Sequence, residues 1–402
     1  MLRQFLDWLE SGEKTPADLL SFCLRRIREA DPGLRAWVTV SPQAALGDGA
    51  LRGIPFGAKD IFDTRDLATG YGSPIYAGRK AQQDAALVSA LRNRGAVLVG
   101  KTQTTAFAYF DPAPTRNPRD PQHTPGGSSS GSAAAIAAGM VPFALGTQTQ
   151  GSVLRPASYC GVVGFKPTYG LLPLEGVLPF APTLDTAGLF VQTAEDLRLL
   201  WLRMGYSAGP AEGARLAAPA MPWEAEPEMK QALETSVARL RAAGFPMAMV
   251  DLPAGFPQLL TLVRLINDYE GARTHHQRWK DHGHRIGNRL ALLVEKGLQI
   301  PAEEYAAALE KLGQARRQMS GVFREVSVLL SPAATGPAPR GLESTGDPRM
   351  NAPWTGLGVP AISLPMPVAS GLPLGLQLTA EAGQDALLVE VARRVETALQ
   401  RP

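Results

Sequence analysis

Two glycine- and serine-rich segments lie close together in the first half of the chain. The first reads Thr124-Pro-Gly-Gly-Ser-Ser-Ser-Gly-Ser132, and the second, Thr147-Gln-Thr-Gln-Gly-Ser152, places a serine 24 residues after Ser128. Between them, residues 132–139 are mostly alanine and predict a helix that packs closely against a neighbour. Gly/Ser-rich linkers behave as flexible coils, but a flexible linker does not need a packed helix between two such turns. We therefore expect two rigid turns inside a folded core.

A lysine between apolar residues is the candidate base for a serine in these turns. A serine hydroxyl is a poor nucleophile at neutral pH and needs a base in contact with it. The five histidines are poorly placed for this role, because His123 lies in the loop and the other four fall in one helical stretch. Lys59 lies in Gly53-Ile-Pro-Phe-Gly-Ala-Lys-Asp-Ile-Phe62, where loss of solvent would lower its pKa and leave it neutral. A strand-end lysine that reaches solvent is the alternative, which the residues alone leave open.

Strand-like and helical patterns alternate at both ends of the chain, and helical patterns dominate between residues 193 and 325. The capping box Thr15-Pro-Ala-Asp18 predicts the start of a helix, which Asp31-Pro32 is expected to end. We expect one α/β domain over residues 1–402, with strands from both ends in one sheet. Within it, residues 50–192 form the core that holds the candidate site, and residues 193–325 form a helical segment that shapes the substrate pocket.

Composition excludes several functional classes. The net charge is +3 and the basic residues are scattered, so no nucleic-acid-binding surface is expected. No apolar run reaches the roughly 18 residues that a membrane span needs, and the acidic residues of the N-terminal amphipathic stretch argue against a signal peptide. Two cysteines exclude a disulfide scaffold and favour a reducing compartment. A cytoplasmic protein without membrane contact is therefore expected.

Three motif matches point to other chemistry and fail on their context. Residues 95–102 fit the phosphate-binding loop pattern, but the residues between the glycines are themselves an apolar strand. Residues 127–131 fit the nucleophile elbow of α/β-hydrolases with Ser129 as nucleophile, but no strand precedes them. The remaining histidines, which lie between positions 275 and 284, lack a cysteine or an arranged carboxylate beside them. We expect no metal and no cofactor, and we interpret the histidine cluster as a solvated helix face.

The motifs together resemble the amidase signature family. Residues 53–60 are similar to the family's lysine strand, residues 126–132 to its glycine–serine loop, and residues 146–156 with 160–170 to its nucleophile segment. The resemblance covers nearly the whole chain apart from the middle helices. Further similar stretches are residues 100–107, 117–118, 185–188, 331–332, 360–362 and 371–377.

The resemblance implies a fold and a mechanism. The implied fold is a single α/β/α sandwich around a mixed, mostly parallel β-sheet covered by helices. The implied catalytic residues are Lys59 as base, Ser128 as bridging serine after a cis peptide bond, and Ser152 as nucleophile. The backbone N–H groups of Thr149, Gln150, Gly151 and Ser152 are the implied oxyanion hole, and Gly126 and Gly127 are expected beside the substrate.

Three positions depart from the family pattern. Gln148 stands where an acid is usual, and Gln150 replaces a glycine, adding a side chain that narrows the pocket or contacts substrate. The arginine common at the second position after the nucleophile is Leu154, and Arg155 follows at the third. In malonamidase-like members an arginine at that spacing binds a substrate carboxylate. A structural arginine bound to loop carbonyls is the alternative.

The function implied by the resemblance is hydrolysis of carboxamide C–N bonds through an acyl-enzyme on Ser152. The same chemistry serves carbamate (urethane), anilide and ester substrates, so a small-molecule amide or carbamate is the expected partner. A homodimer is left open. The second function class is a relative of the amidotransferase subunit that delivers ammonia within a complex, which the short length and the residues Gln148 and Gln150 disfavour.

Overall fold

One mixed sheet runs through the computed structural model, which describes residues 1–368 and 371–400. Its eleven strands within these residues are β1 (Trp37–Gln43), β2 (Pro55–Lys59), β3 (Val97–Thr102), β4 (Phe143–Gln148), β5 (Val163–Lys166), β6 (Thr186–Val191), β7 (Leu216–Ala217), β8 (Met247–Ala248), β9 (Val328–Pro332), β10 (Ala361–Pro365) and β11 (Gly375–Thr379). Their order across the sheet is β1-β3-β2-β4-β6-β5-β10-β11-β9-β7-β8. As expected, strands from both ends of the chain meet in one sheet.

Strand direction corrects one part of the predicted fold. The mixed sheet is confirmed, but mostly parallel pairing is wrong. Only β2–β3, β2–β4, β7–β8 and β7–β9 are parallel, and the other six neighbouring pairs in the described sheet are antiparallel. Several antiparallel neighbours, such as β1 and β3 or β5 and β10, lie far apart in the chain, so their relative direction follows from tertiary packing and not from a local turn. Sequence motifs do not reveal which connection crosses over.

Helices cover the sheet on both sides. In the described residues they are α1 (Leu2–Ser11), α2 (Pro16–Leu34), α3 (Ala86–Asn93), α4 (Ser130–Ala137), α5 (Leu154–Cys160), α6 (Ala194–Arg203), α7 (Pro227–Ala242), α8 (Leu259–His282), α9 (Asn288–Gly297), α10 (Ala302–Glu325), α11 (Ala352–Leu357) and α12 (Asp385–Gln400). Helices α4 and α5 pack on each other and on the central strands, while α6 and α12 pack together and also contact the sheet. Helices α8, α9 and α10 pack mainly on one another. No helix of the described residues is long and apolar enough to cross a membrane.

Helix α2 begins where the sequence predicted but ends later than predicted. The capping box is confirmed, since the Thr15 hydroxyl accepts from the Asp18 N–H and the Asp18 carboxylate accepts from the Thr15 N–H. The predicted end at Asp31-Pro32 is wrong, because the helix continues to Leu34. Proline in the final turn removes only its own N–H bond, and Arg35, in the left-handed conformation, ends the helix by donating to the Asp31 carbonyl at 2.7 Å.

The small residues of α4 allow it to touch the sheet backbone. A Cβ on Gly131 would lie 2.2 Å from the Ala36 carbonyl oxygen and 2.3 Å from the Gln103 nitrogen. Only glycine fits such a contact, because both neighbours are backbone atoms that cannot rotate away. The Gly131 N–H also donates to the Gln103 carbonyl at 3.0 Å. The glycine–serine loop is therefore part of the packed core, as the helix between the two turns predicted.

Candidate active site

The lysine of the apolar strand lies in the interior, beside a serine of the glycine–serine loop. Strand β2 is flanked by β3 and β4 and is buried along its length, and Lys59 at its end has no solvent exposure. Lys59 Nζ donates to Ser128 Oγ at 2.7 Å and to Thr147 Oγ1 at 2.9 Å. Burial lowers the pKa of Lys59 to about 7, against the opposing effect of the negative charge of Asp185. The solvent-reaching alternative for Lys59 is therefore excluded.

The glycine–serine loop is fixed to the end of β4 by its serines. The Gly127–Ser128 peptide bond is cis, as predicted. Ser129 Oγ donates to the Thr147 carbonyl at 3.2 Å and accepts from the Thr147 N–H at 3.3 Å. Ser130 Oγ donates to the Gly126 carbonyl at 2.7 Å. Ser128 is thus the member of the loop whose hydroxyl is directed to the lysine, while its neighbours hold the loop in place.

The turn that carries Ser152 joins β4 to α5 and is held from three sides. Thr149 Oγ1 donates to Asp185 Oδ1 at 2.6 Å, and Thr355 Oγ1 donates to the Gln150 carbonyl at 2.8 Å. A Cβ on Gly151 would lie 2.6 Å from Asn351 Oδ1, so a larger residue here would displace the Asn351 side chain. These contacts fix the backbone from Thr149 to Ser152, which is the segment predicted to form the oxyanion hole.

Gln148 replaces an acid without losing the acid's hydrogen-bonding capacity. Its side-chain oxygen accepts from the Val153 N–H at 2.9 Å and the Leu154 N–H at 3.0 Å, at the beginning of α5. Its side-chain nitrogen donates to Thr355 Oγ1 at 2.9 Å, which a carboxylate cannot do. The glutamine therefore connects the nucleophile turn to α11.

Arg155 donates hydrogen bonds to two loop carbonyls, and one of its guanidinium nitrogens has no partner among the described residues. Its Nε donates to the Thr345 carbonyl at 2.6 Å, and one terminal nitrogen donates to the Gly127 carbonyl at 2.7 Å. The other, Nη1, is buried and has no hydrogen-bond partner among the described residues. Burial lowers the pKa of Arg155 from its ordinary value. The structural role is therefore present, and the two N–H groups of Nη1 remain unpaired within the described part of the chain.

Ser128 and Ser152 line the same small cavity, of about 20 Å³. Residues 108–110 and Asn267 of helix α8 contribute to it. Gly126 and Gly127, expected beside the substrate, are not among its lining residues, and their carbonyls accept hydrogen bonds from Ser130 and Arg155. The cavity is lined by Ala108, Tyr109, Phe110, Ser128, Thr149, Gln150, Gly151, Ser152, Arg155, Phe180, Asn267 and Thr345.

Sequence reasoning missed two polar residues that contact the site. Thr147 shares the Lys59 amine with Ser128, and only its position in the nucleophile segment hinted at this. Asp185 belongs to a stretch that resembles the family but suggested no role. Its carboxylate accepts the Phe180 N–H at 2.7 Å and the Ala181 N–H at 3.1 Å, and burial raises its pKa to about 6.

The structure also shows where the residues of the rejected motif matches lie. Val97 to Val99, between the glycines of the phosphate-loop pattern, lie in strand β3 as predicted, and the strand continues through Lys101 and Thr102. The histidine cluster is partly corrected, because His275 is fully buried, between Phe107 and Phe180, and not on a solvated face. Burial lowers its pKa to about 3. No group of three or more His, Cys, Asp or Glu residues suited to a metal occurs within the described ranges. Cys23 and Cys160 are buried and unpaired.

Comparison with known families is decisive for the classification. The family described as Amidase matches residues 18–205 and 212–389. This chain belongs to the amidase family. The solved structure of an amidase superposes on it with a TM-score of 0.90 at 26% identity, covering 99% of both chains. A peptide amidase in complex with the competitive inhibitor chymostatin gives 0.83 at 26% identity, covering 99% of this chain and 97% of that chain.

Among sequence relatives, this amidase-family chain is similar to subunits of an amidotransferase. A glutamyl-tRNA(Gln) amidotransferase subunit from Chloroflexus aurantiacus is 32% identical over 469 residues, which cover 98% of this chain and 96% of the relative. The corresponding subunit from Exiguobacterium sp. is 30% identical over 460 residues, which cover 97% and 95%. Because these alignments are longer than the 402-residue chain, they require gaps in it, and the relatives carry additional residues.

Proposed function

We propose that this protein is an amidase that hydrolyses carboxamide C–N bonds, with Ser152 as nucleophile, Ser128 as proton relay and Lys59 as base. The observation that carries the proposal is the buried contact of 2.7 Å between Lys59 Nζ and Ser128 Oγ. A buried amine with a pKa of about 7 is partly neutral at physiological pH, which general-base catalysis requires. Ser128 and Ser152 line one cavity, which supports a relay between them.

The proposed reaction has two stages. Ser152 Oγ attacks the amide carbon while its proton passes to Ser128 Oγ, and the Ser128 proton passes to Lys59 Nζ. Backbone N–H groups between Thr149 and Ser152 stabilise the oxyanion. The C–N bond then breaks as Ser128 passes a proton to the amine nitrogen and recovers one from Lys59 Nζ, which leaves the acyl-enzyme and a neutral Lys59. In the second stage, water attacks the ester through the same relay, and Ser152 regains its proton as the acid leaves.

Arg155 supports a preference for amides that also bear a carboxylate. Its unpartnered Nη1 is buried, and the residue lines the cavity that contains Ser152. A buried N–H of a charged group without an acceptor is costly, and a carboxylate would satisfy it. Gln150 lines the same cavity and would lie beside such a substrate.

The test is turnover of a panel of aliphatic amides, anilides, malonamate-like acids and carbamates by the wild type and by Ser152→Ala. We expect the variant to lose at least about 10⁴-fold in kcat. Ser158→Ala is the matched control, because this buried hydroxyl in α5 has no hydrogen-bond partner among the residues that the structure describes. Retained turnover in Ser152→Ala would overturn the assigned nucleophile.

A second candidate function is supported by the amidotransferase relatives. In that case the same site would release ammonia from an amide for a partner protein, as one component of a complex. Native mass spectrometry of the protein isolated from its own cells separates the two. A heteromer with activity only in the complex would favour the amidotransferase role, whereas turnover by the isolated chain would favour the amidase.

A further inference from the structure

A second and larger cavity adjoins the one that contains Ser152. Its volume is about 160 Å³, against about 20 Å³ for the first cavity. A volume of 10–15 Å³ accommodates about one water molecule, so the first cavity has no room for a ring or a branched alkyl group. Any larger part of a substrate needs other space. The second cavity is lined by Ile61, Ala108, Thr147, Thr149, Leu174, Val177, Leu178, Pro179, Phe180, Pro182 and Asp185.

The inner end of this second cavity lies at the catalytic groups. Ala108, Thr149 and Phe180 line both cavities. Thr147, which lines only the second, accepts from Lys59 Nζ at 2.9 Å. The outer wall is formed by the segment from Leu174 to Pro182, in which several residues are half-buried or exposed. A group in the second cavity would therefore lie next to a carbonyl held at Ser152 while remaining accessible from outside.

The chemistry of the second cavity favours hydrocarbon. Most of its lining consists of aliphatic, proline or aromatic side chains. Its polar side chains are already engaged, since Thr147 accepts from Lys59 and Thr149 donates to Asp185. Asp185 also accepts two backbone N–H groups. A polar group placed here would lose its hydrogen bonds to water and would find few partners to replace them.

The backbone at the boundary between the cavities is strained. Phe107 and Ala108 have φ values of 51° and 60°, in the left-handed region that non-glycine residues rarely adopt. The Phe107 N–H donates to the Tyr71 carbonyl at 2.8 Å, and the Ala108 N–H to the Thr105 carbonyl at 3.0 Å. Such conformations cluster at ligand sites, where the surrounding structure maintains them. The fold thus maintains an unfavourable backbone conformation at Ala108, which is one of the residues that line both cavities.

From these observations we infer that the second cavity binds a phenyl-sized apolar group of the substrate. A dry cavity of about 150 Å³ lined by aliphatic and aromatic side chains holds one benzene molecule, and this one has nearly the same volume. The inference rests on the proposed amide hydrolysis and names its substrate class, which is amides that carry an aromatic ring or a branched alkyl group of similar size near the scissile bond.

The kinetic test compares substrates that differ only in the ring. Phenylacetamide against propionamide places the ring on the acyl side, and acetanilide against N-methylacetamide places it on the amine side. We expect kcat/KM to be about tenfold or more higher for the ring-bearing member of one pair. Val177→Phe, which fills the cavity, should abolish that preference. No preference for a ring in either pair would overturn the inference.

Leu171→Phe is the matched control, because Leu171 is exposed three residues before that segment and does not line the second cavity. Leu174→Phe serves as a second filling variant if Val177→Phe does not fold. Equal loss of the ring preference in Leu171→Phe and the filling variants would also contradict the inference.

Benzene binding tests the second cavity independently of catalysis. Calorimetric titration with benzene should show one site in the wild type and in Leu171→Phe, and none in Val177→Phe. If no amide is turned over but benzene binds as expected, the proposed function fails and the apolar site stands. Absence of benzene binding to the wild type would reject the site even if amides are hydrolysed.

Discussion

Lys59 Nζ lies 2.7 Å from Ser128 Oγ at the end of a strand that is buried along its length. The second hydrogen-bond partner of the amine is the Thr147 hydroxyl, and the charge of Asp185 acts on it only as an opposing influence on its pKa. An amine surrounded by hydroxyls and apolar side chains loses hydration without gaining an ion-pair partner. Its charged form is therefore disfavoured, which is the property that a lysine base needs.

The pH dependence of activity should follow Lys59. The base is active when neutral, so kcat/KM should rise with pH through a limb near pH 7, the pKa of Lys59. Lys59→Ala should abolish amide cleavage across this range. Stopped assays from pH 5 to 9 measure the limb, and full activity in Lys59→Ala would show that another group is the base.

Asp185→Asn should move this limb to lower pH. The Asp185 carboxylate raises the pKa of Lys59, so removing its negative charge lowers that pKa further. Thr149→Val is the matched control, because it removes the same Thr149–Asp185 hydrogen bond and retains the charged residue. The pH profiles of both variants are the measurement. A downward shift of equal size in Thr149→Val would contradict the electrostatic explanation.

Gln148→Ala should destabilise the fold and weaken catalysis together. The change leaves the Val153 and Leu154 N–H groups without their acceptor, at about 1–3 kcal/mol for each buried group. Gln148→Glu retains the acceptor oxygens and should lower the free energy of unfolding by less than Gln148→Ala. Urea denaturation measures the difference. Gln192→Ala, which removes one long hydrogen bond of 3.3 Å, serves as the control. Equal losses in Gln148→Ala and Gln148→Glu would show that these two bonds contribute little.

Arg155→Lys should lower the preference for acid-bearing amides. The planar guanidinium binds loop carbonyls and leaves Nη1 free at the same time, which an ammonium group cannot reproduce. We expect the ratio of kcat/KM between a malonamate-like amide and its neutral analogue to fall about tenfold or more. A purely structural arginine would lower both values alike and leave the ratio unchanged.

Much of this site was predictable because its signals are local. The spacing of Ser128 and Ser152, the alanine-rich stretch between them and the apolar flanks of Lys59 all lie within short segments. The resemblance to the amidase family connected these segments, and the family match confirms it. The departures at Gln148 and Arg155 were visible in the sequence, but their contacts were not, because their partners Thr355 and Thr345 lie about 200 residues away.

The sequence by itself determined the lysine, the two serine turns and the helices and strands that carry them, because glycine spacing, capping residues and apolar periodicity act over short distances. Only the tertiary structure decided the direction of the strands, the lowered pKa of Lys59 and the burial of His275. It also placed Ala108 and Phe180 between the two cavities. Each of these depends on which distant segments come into contact, and that arrangement exists only after the chain has folded.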